Sequence, residues 1–427
     1  LHAGVDHPDL AASLNNVGNS LEAMGDRAAG LAMKREALEM TQRLCAGVDH
    51  PHLAALLNNV GASLESMGDR PAGRAMKRES LEMRQRLHAG VDHPDLAASL
   101  NNVGESLLAM GDRAAGVAMQ REALEMTRRL HKGVDHPDLA TSLGNVGGSL
   151  EMMMGDRAAG LAMQREALEM RQRLYIDHPH LATSLDNVGN AMATIGDRAT
   201  GLAMNREALA MRRRLHEGDH PDLATSLNSV GSSLETLGDR AGVAMKREAL
   251  EMRRRLHAGV DHPDLAMSLS NVGYSLVAIG DRAAGLAMQR EALEMRRRLH
   301  ADGDHPDVAA SLNNVGALLD EMGDRAPGLA MMLEALHMRR RLYAVDHPVL
   351  ATSLRNVANS YLASGCRWAA VSLLREETLL RMRLSPHRDD PDLAFSLHLF
   401  ARFFGCLPVE RLANEMAFRI LLSRFSL

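Results

Sequence analysis

The amino-acid sequence predicts an all-α protein, a solenoid built from tandem helix–turn–helix units of 42–43 residues. Three observations carry this prediction: a short phrase recurs at a nearly constant interval, each interval contains two stretches of helical periodicity, and strand-like alternation is missing. Successive copies of the phrase, Asp-His-Pro, lie 42 or 43 residues apart. Their aspartates are Asp6, Asp49, Asp92, Asp135, Asp177, Asp219, Asp261, Asp304 and Asp346.

Each unit contains two amphipathic stretches, which we call the first and the second helix. In the opening unit, apolar residues recur every three or four positions over residues 10–24 and again over residues 33–44. Blades of a β-propeller would instead need alternating β-branched and aromatic runs. The spacing therefore predicts a first helix over 8–24 and a second helix over 27–44.

The residues at the ends of these stretches agree with the two helices. Pro8 suits a first helical turn, where a missing N–H costs nothing. Gly25 is placed to end the first helix in a left-handed conformation, and Asp26 follows as an N-cap for the second. Arg43 puts positive charge at the C-terminus of the second helix, which its dipole favours.

Two glycines lie inside the predicted helices of the opening unit, Gly18 in the first and Gly30 in the second. A glycine inside a helix costs roughly 1 kcal/mol relative to alanine. Both positions recur in later units, so a structural reason is required. The simplest is a close approach of the two helices, which we predict at each glycine pair.

Composition excludes several classes of function. The formal net charge is −5 and the pI is near 6.5, which disfavours a general nucleic-acid binder. No apolar run reaches the ~18 residues of a transmembrane helix, so no membrane partner is expected. Three scattered cysteines cannot form a disulfide framework, which favours a reducing compartment and a cytoplasmic location. The chain begins within the repeat pattern, and we expect a fragment or processed product of a longer array.

The unit Leu-Asn-Asn-Val-Gly, followed by Met-Gly-Asp-Arg and Ala-Leu-Glu-Met, resembles the tetratricopeptide repeat. Its His-Pro-Asp start and its period resemble the kinesin-light-chain type, which is also found in nephrocystin-like arrays. The resemblance implies a right-handed superhelix whose first helices line a concave groove. Arg27, Gly30 and Lys34 stand where the family has an aromatic, a small alanine and a second aromatic residue. Paired helices of the HEAT or armadillo kind remain an alternative fold.

The resemblance also implies where a partner would bind. Asparagines in similar repeats hold extended peptides, and one position of the first helix is asparagine in nearly every unit. A hydrogen bond between units is the alternative role for these side chains. The series comprises Asn16, Asn59, Asn102, Asn145, Asn187, Asn271, Asn314 and Asn356.

A second set of candidate groove residues varies between units. Asn15, Asn58 and Asn101 precede the near-invariant asparagines, and their counterparts in later units differ. The same face carries Glu22, Glu65, Glu105, Glu151 and Glu235. An acidic groove predicts a neutral or basic protein or peptide partner and repulsion of acidic peptides. Drift on a solvated surface is the alternative explanation of the variation.

Other recurrent residues have structural explanations. Arginine runs, at 212–214, 253–255, 296–298 and 339–341, close second helices, with acids such as Glu251 and Glu294 one turn earlier, so we expect no nucleic-acid surface. Histidine pairs near the loops are interpreted as loop and cap residues, because no cysteine or carboxylate completes a ligand set at metal spacing. We therefore expect no metal and no cofactor. No phosphate loop, catalytic triad or HExxH motif is present, so we expect no enzymatic activity.

The C-terminal end departs from the repeat. We assign residues 1–5 to the tail of a preceding unit, 6–389 to nine tandem repeats, and 390–427 to a degenerate tenth repeat that caps the array. In the last helix, Phe418, Leu422 and Phe425 form a second apolar stripe. We predict that this stripe docks a partner or another copy of the chain.

Together these features predict a non-enzymatic scaffold that binds extended segments or domains of other proteins. Two alternatives stay open. The array could be the sensor or regulatory arm of a larger signalling ATPase or of a kinesin-like adaptor, or it could be a purely structural spacer.

Overall fold

The computed structural model of the chain describes residues 6–151, 156–301, 303–343 and 346–384, together with residues 393 and 397. Throughout this described part the regular secondary structure is helical and no strand is present, which confirms the predicted all-α class. None of these helices is both long and apolar enough to cross a membrane. The predicted tail over 1–5 and nearly all of the predicted cap over 390–427 lie outside the described residues, so those boundaries stay predictions.

The eighteen helices of the described part alternate between first and second helices. The first helices are Pro8–Ala23 (α1), Pro51–Ser66 (α3), Pro94–Ala109 (α5), Pro137–Ser149 (α7), Pro179–Thr194 (α9), Pro221–Thr236 (α11), Pro263–Ala278 (α13), Pro306–Glu321 (α15) and Pro348–Ala363 (α17). The second helices are Arg27–Cys45 (α2), Arg70–Leu87 (α4), Arg113–His131 (α6), Arg157–Leu174 (α8), Arg198–Leu215 (α10), Ala241–Leu256 (α12), Arg282–Leu299 (α14), Arg325–Leu342 (α16) and Arg367–Leu384 (α18). In the opening unit, the predicted ends differ from these by one residue.

The helix ends use the predicted signals, and they identify which loop histidine is the cap. Gly25 ends α1 with φ +97°, and the Asp26 side chain accepts a hydrogen bond from the Ala29 N–H. The capping residue of each first helix is the histidine of Asp-His-Pro. His7 is the N-cap of α1, and its Nδ1 accepts from the Asp9 N–H at 3.2 Å. The equivalent histidine caps the first helix in each described unit.

The chain divides into two compact units, residues 1–280 and 281–427. Within each unit, a first helix packs on the second helix of its own repeat and on that of the preceding repeat. Leu31 and Leu38 of α2, for example, share one core cluster with Leu53 and Leu57 of α3. Burying each such leucine stabilises the fold by roughly 1.5–3 kcal/mol. Because this cluster joins residues of two repeats, a single repeat cannot complete its own core.

The predicted close approach of the two helices occurs at the glycine pairs. A Cβ added to Gly18 would lie 2.8 Å from the Gly30 carbonyl oxygen, and one added to Gly30 would lie 2.8 Å from that of Gly18. Real Cβ atoms do not approach backbone oxygens this closely, so both positions exclude any larger residue. The same reciprocal arrangement occurs at Gly147 and Gly160. This contact is the reason that the sequence keeps glycine inside helices despite its poor propensity.

Several second helices also reach forward to the next repeat through their opening arginine. The Arg27 Nη1 atom donates to the Ser66 carbonyl oxygen at 2.7 Å, at the C-terminus of α3. Carbonyls in the last turn of a helix have no partner within the helix, so this bond satisfies one of them. Arg198 and Arg325 make the equivalent bonds to Thr236 and Ala363. Arg27 occupies the position at which the repeat family has an aromatic residue. In this chain the arginine makes a polar contact with the next repeat from that position.

Stacked imidazole pairs lie where a second helix ends and the next first helix begins. The rings of His88 and His93 lie 3.6 Å apart at 9°, and those of His131 and His136 lie 3.5 Å apart at 11°. Burial, and then the neighbouring histidine, holds the pKa of His88 and of His131 below the usual value. Tyr175 replaces the leading histidine of the pair and stacks on its partner in the same way.

The glycine contact predicts opposite effects for two substitutions in α7. Gly147→Ala places a methyl group 2.8 Å from the Gly160 carbonyl oxygen, so we expect a loss of about 1–3 kcal/mol in the free energy of unfolding. Gly144→Ala is the matched control, because its new Cβ would meet only the Arg171 guanidinium, at 4.0 Å. It should stabilise the chain by up to about 1 kcal/mol. Urea unfolding followed by circular dichroism measures both, and equal midpoints would contradict the close approach.

The stacked histidines predict a stability that depends on pH. Their pKa in the folded chain lies below the unfolded value of about 6.5, so the unfolded chain takes up protons first as the pH falls. Stability from these groups is complete above about pH 6.5 and is lost progressively below it. The double variant His88→Tyr, His131→Tyr keeps the stacking, as Tyr175 does, and removes the titration.

We expect the urea midpoint of this double variant to fall less than that of the wild type between pH 7.5 and 5.5. His337→Tyr, at an exposed position of α16, is the control and should fall as the wild type does. An identical fall in the double variant and the wild type would show that the stacked pairs do not sense pH.

Candidate functional site

Consecutive first helices contact one another within each unit, and we call the surface they form the first-helix row. The contacts join α5 with α7, α9 with α11 and α11 with α13 in one unit, and α15 with α17 in the other. These contacts bring the side chains of neighbouring first helices together on one surface. The first-helix row is therefore the surface on which the sequence predicts a groove.

Asparagines of neighbouring repeats are joined by hydrogen bonds along the first-helix row, and we call this series the amide ladder. The Asn59 Nδ2 atom donates to the Asn15 Oδ1 atom at 3.0 Å, and Asn102 donates to Asn58 at 2.8 Å. Asn271 donates to Asn228 at 2.9 Å, and Asn356 donates to Asn313 at 3.0 Å. The near-invariant position thus supplies the donor, and the residue before it in the previous repeat supplies the acceptor.

The ladder gives the near-invariant asparagine a structural role wherever the neighbouring position of the previous repeat is also asparagine. The bond between repeats that the sequence left open as an alternative is present, and the role of these amides in binding a partner stays a prediction. Asn16 and Asn187 are exposed, whereas Asn145 and Asn314 are half-buried. Gly144 precedes Asn145, and its lack of a side chain leaves Asn187 without an amide acceptor in that repeat.

Three of the five predicted groove glutamates are held in ion pairs by a lysine of the second helix. The Lys34 Nζ atom lies 2.7 Å from Glu22 and donates to the Ser63 hydroxyl of the next repeat at 3.0 Å. Lys77 holds Glu65 and Lys246 holds Glu235, each at 2.6 Å. The lysine stem lies across the interior glycine, since a Cβ at Gly18 would meet the Lys34 Cγ at 2.8 Å. Sequence reasoning missed this pairing, which neutralises part of the acidity predicted for the groove.

The other two groove glutamates have no lysine partner among the described residues. Glu151 accepts from Gln164 at 3.1 Å and from the Thr194 hydroxyl at 2.8 Å. Glu105 is exposed to solvent yet lies among the helices of the row. Desolvation raises the pKa of the Glu105 carboxyl, Glu65 raises it further, and Lys77 opposes them. A cation that bound beside Glu105 would therefore stabilise a carboxylate whose charge Lys77 offsets only in part.

The arginine runs are occupied by contacts within the protein. In the run over 212–214, Arg212 is buried and donates to Asp186 and to the Ser226 hydroxyl of the next repeat. Arg214 forms a two-pronged pair with Asp177 at 2.6 and 3.0 Å, and this hydrogen bonding lowers the pKa of that carboxyl. The middle arginine of the run faces the acidic Glu248 of the next second helix at 3.8 Å. These contacts within and between repeats give each arginine of this run a structural role.

Five loops of the described part bring two histidines and an aspartate within 4.8 Å of one another. The interpretation that no carboxylate completes such a set is wrong here, because the aspartate two residues after the capping histidine lies in the first helical turn. Asp95, for instance, lies 3.8 Å from the His93 Nδ1 atom. The stacked rings are almost parallel, however, and their in-plane lone pairs do not converge on one point. The Nδ1 atom of the capping histidine already accepts a backbone N–H.

The predicted C-terminal docking residues, Phe418, Leu422 and Phe425, lie outside the described residues. Trp368, at the start of α18, is the large apolar side chain of that end that the structure describes, and it is 87% exposed.

Comparison with known proteins agrees with this architecture. A model of the tetratricopeptide repeat matches residues 9–86, 52–129, 138–212 and 264–336, which together make up more than half of the chain. No curated protein sequence gives a significant match. Among solved structures, a Rap protein complexed with Competence and Sporulation Factor is 13% identical, with a TM-score of 0.56, over 88% of this chain and 99% of its own.

Two further structures are similar over part of the chain. BtubC (BKLC) from P. vanneervenii is 20% identical, with a TM-score of 0.45, over 55% of this chain and 93% of its own. The nearly identical TPR-like repeats of a putative kinesin light chain from Podosopora anserina are 14% identical, with a TM-score of 0.43, over 50% of this chain and 100% of their own. On the family match and the alternating helix pairs, the chain belongs to the tetratricopeptide repeat family.

Proposed function

We propose that the chain is a non-enzymatic scaffold that binds an extended, neutral to basic segment of another protein along the first-helix row. The observation that carries the proposal is the amide ladder, because its hydrogen bonds join neighbouring repeats on the first-helix row. Proteins of this repeat family generally mediate protein–protein interaction. The similar Rap protein is complexed with Competence and Sporulation Factor, which supports a ligand on the same fold here.

The ladder is compatible with ligand binding because it uses only part of each amide. An asparagine side chain offers two N–H donors and two acceptor lone pairs, and the ladder uses one donor of Asn59 and one acceptor site of Asn15. The bond also holds the side chain in one orientation. Ordering a free side chain on binding costs about 0.5–1.5 kcal/mol, so an amide that is already held reduces that cost. Many modest contacts along the row then add up.

Charge supports the choice of a neutral or basic segment. Glu105 and Glu151 lie on the row without a lysine partner in the described part of the chain. The lysines of the second helices that reach the row are each paired with another glutamate. An acidic segment would meet uncompensated carboxylates. The free cysteines Cys45 and Cys366 support a reducing, cytoplasmic location for this activity.

The proposal predicts which substitutions abolish partner binding. One variant, Asn102→Ala, Asn145→Ala and Asn187→Ala, removes amides from three consecutive first helices. A second, Ala62→Lys, Glu105→Lys and Asn190→Lys, leaves these amides intact and places positive charge at exposed positions of the row. Affinity capture from cell extract followed by mass spectrometry should recover at least tenfold less of the wild-type partners with either variant.

The matched control carries Arg121→Ala, Glu122→Ala and Glu169→Ala on the exposed face of the second helices α6 and α8, and it should capture what the wild type captures. Urea midpoints within the error of the wild type establish that each variant is folded. Unchanged capture by both row variants would overturn the proposal in favour of a spacer or another surface.

A further inference from the structure

A buried or half-buried arginine joins most neighbouring repeats in a constant way, and we call its site the arginine slot. The arginine lies near the end of a second helix, and its guanidinium donates to a serine hydroxyl in the following first helix. The Arg84 Nη1 atom donates to Ser99 at 2.7 Å, and that of Arg253 donates to Ser268 at 2.6 Å. The backbone carbonyls of Asp95 and Asp264 accept further N–H groups of these two arginines. The remaining slots of this kind are Arg171 with Ser184, Arg212 with Ser226, Arg296 with Ser311 and Arg339 with Ser353.

Two repeats carry threonine in place of the slot arginine, and they differ in what fills the space. At Thr41 the serine of the next first helix is replaced by Leu56, which is 1% exposed and completes an apolar core. At Thr127 the serine is kept, as Ser142. The hydroxyls of Thr127 and Ser142 lie 3.3 Å apart, and beside them a pocket of about 260 Å³ opens between α5, α6 and α7. This slot therefore keeps the arginine's serine and lacks the arginine.

The pocket retains the acceptors that a guanidinium needs. Asn101 occupies the position that Asp186 holds in the slot of Arg212, and it is only 9% exposed. Its Oδ1 atom is buried and has no hydrogen-bond partner among the described residues, and its Nδ2 atom makes only a 3.5 Å contact with Ser142. Leaving such an acceptor unpaired costs about 1–3 kcal/mol. A donor that entered the pocket would recover that energy.

The charge around the pocket also favours a cation. Asp95 and Asp138 line it, and no lysine or arginine is present among its described lining residues. His131 lines it too, and burial and the neighbouring His136 lower the pKa of His131, which keeps that ring neutral at pH 7. The lining thus combines two carboxylates, three hydroxyls and the amide oxygen of Asn101 that has no hydrogen-bond partner among the described residues. A planar group with several N–H donors satisfies this set better than an ammonium does.

We propose that the pocket bounded by Asn101, Thr127 and Ser142 binds the guanidinium group of an arginine side chain supplied by the partner segment. The incoming arginine takes the place that the chain's own arginine occupies between other repeats. For the source of that arginine, the inference rests on the proposed function, and it places one anchor of the bound segment between the third and fourth repeats.

Ligand-observed saturation-transfer NMR with Nα-acetyl-argininamide as the probe tests the pocket directly. The matched probes are the citrulline analogue, which has the same shape without the charge, and the lysine analogue, which has the charge without the planar fork. We expect a saturable signal from the arginine probe that is at least fivefold stronger than that from either analogue. Equal signals from the three probes would overturn the proposal.

Two variants of the full chain close the pocket by routes that the protein itself uses. Thr127→Arg supplies the missing arginine, and Ser142→Leu copies the filling seen at Leu56. Both should remove the arginine-selective signal, whereas Ala114→Arg, at an exposed position of the same helix, should keep it. A signal that persists in both closing variants would place the probe elsewhere and reject the site.

The outcomes separate this inference from the proposed function. Both closing variants leave the amides of the ladder in place. Partner capture that depends on the row, together with no arginine-selective signal, counts against the pocket alone. An arginine-selective signal that Thr127→Arg abolishes, together with capture that no row variant changes, counts against the proposed function alone.

Discussion

The contact of backbone with backbone at the glycine pairs is the constraint on which the rest of each repeat depends. With Gly18 and Gly30 in contact, the two helices of a repeat lie too close for any side chain between them at that level. The stem of Lys34 can then lie across Gly18 and carry its ammonium group to Glu22 and onward to the next repeat. An aromatic ring in place of Lys34 would fill the space across which the lysine side chain extends. The polar character of the first-helix row therefore follows from helix spacing.

Much of the fold could be predicted from the sequence because its signals are local. The starts and ends of the first two helices, the turn at Gly25 and the cap at Asp26 each depend on a few neighbouring residues, and the repetition of the pattern confirms them. The close approach at Gly18 was also predictable, since an unfavourable residue that recurs needs a packing reason. The repetition of the loop histidines indicates loop or cap residues in general, but it does not identify His7 itself as the N-cap, because histidine is not among the common N-cap residues.

The candidate site was less predictable because its contacts join residues far apart in sequence. Asn59 and Asn15 are separated by a whole repeat, and Lys34 reaches Glu22 across a turn between helices. Periodicity assigns a residue to a face of its own helix, but it does not say which atom of the neighbouring helix lies opposite. The acidity of the groove was overestimated for that reason. A spacing of twelve residues between glutamate and lysine, repeated at Lys77 and shortened to eleven at Lys246, is the signal that would have revealed the pairs.

The bonds between the start and the end of one repeat have a consequence for how such a gene can change. Asp49 at the start of a repeat pairs with Arg86 at its end, so this contact travels with the repeat as a unit. The forward bond of Arg70 needs only a backbone carbonyl, which any following repeat supplies. Duplication or loss of one whole repeat would thus leave these two kinds of contact matched. Array length can therefore change by unequal crossing-over without disrupting them, and the reach of the array becomes a property that evolution adjusts.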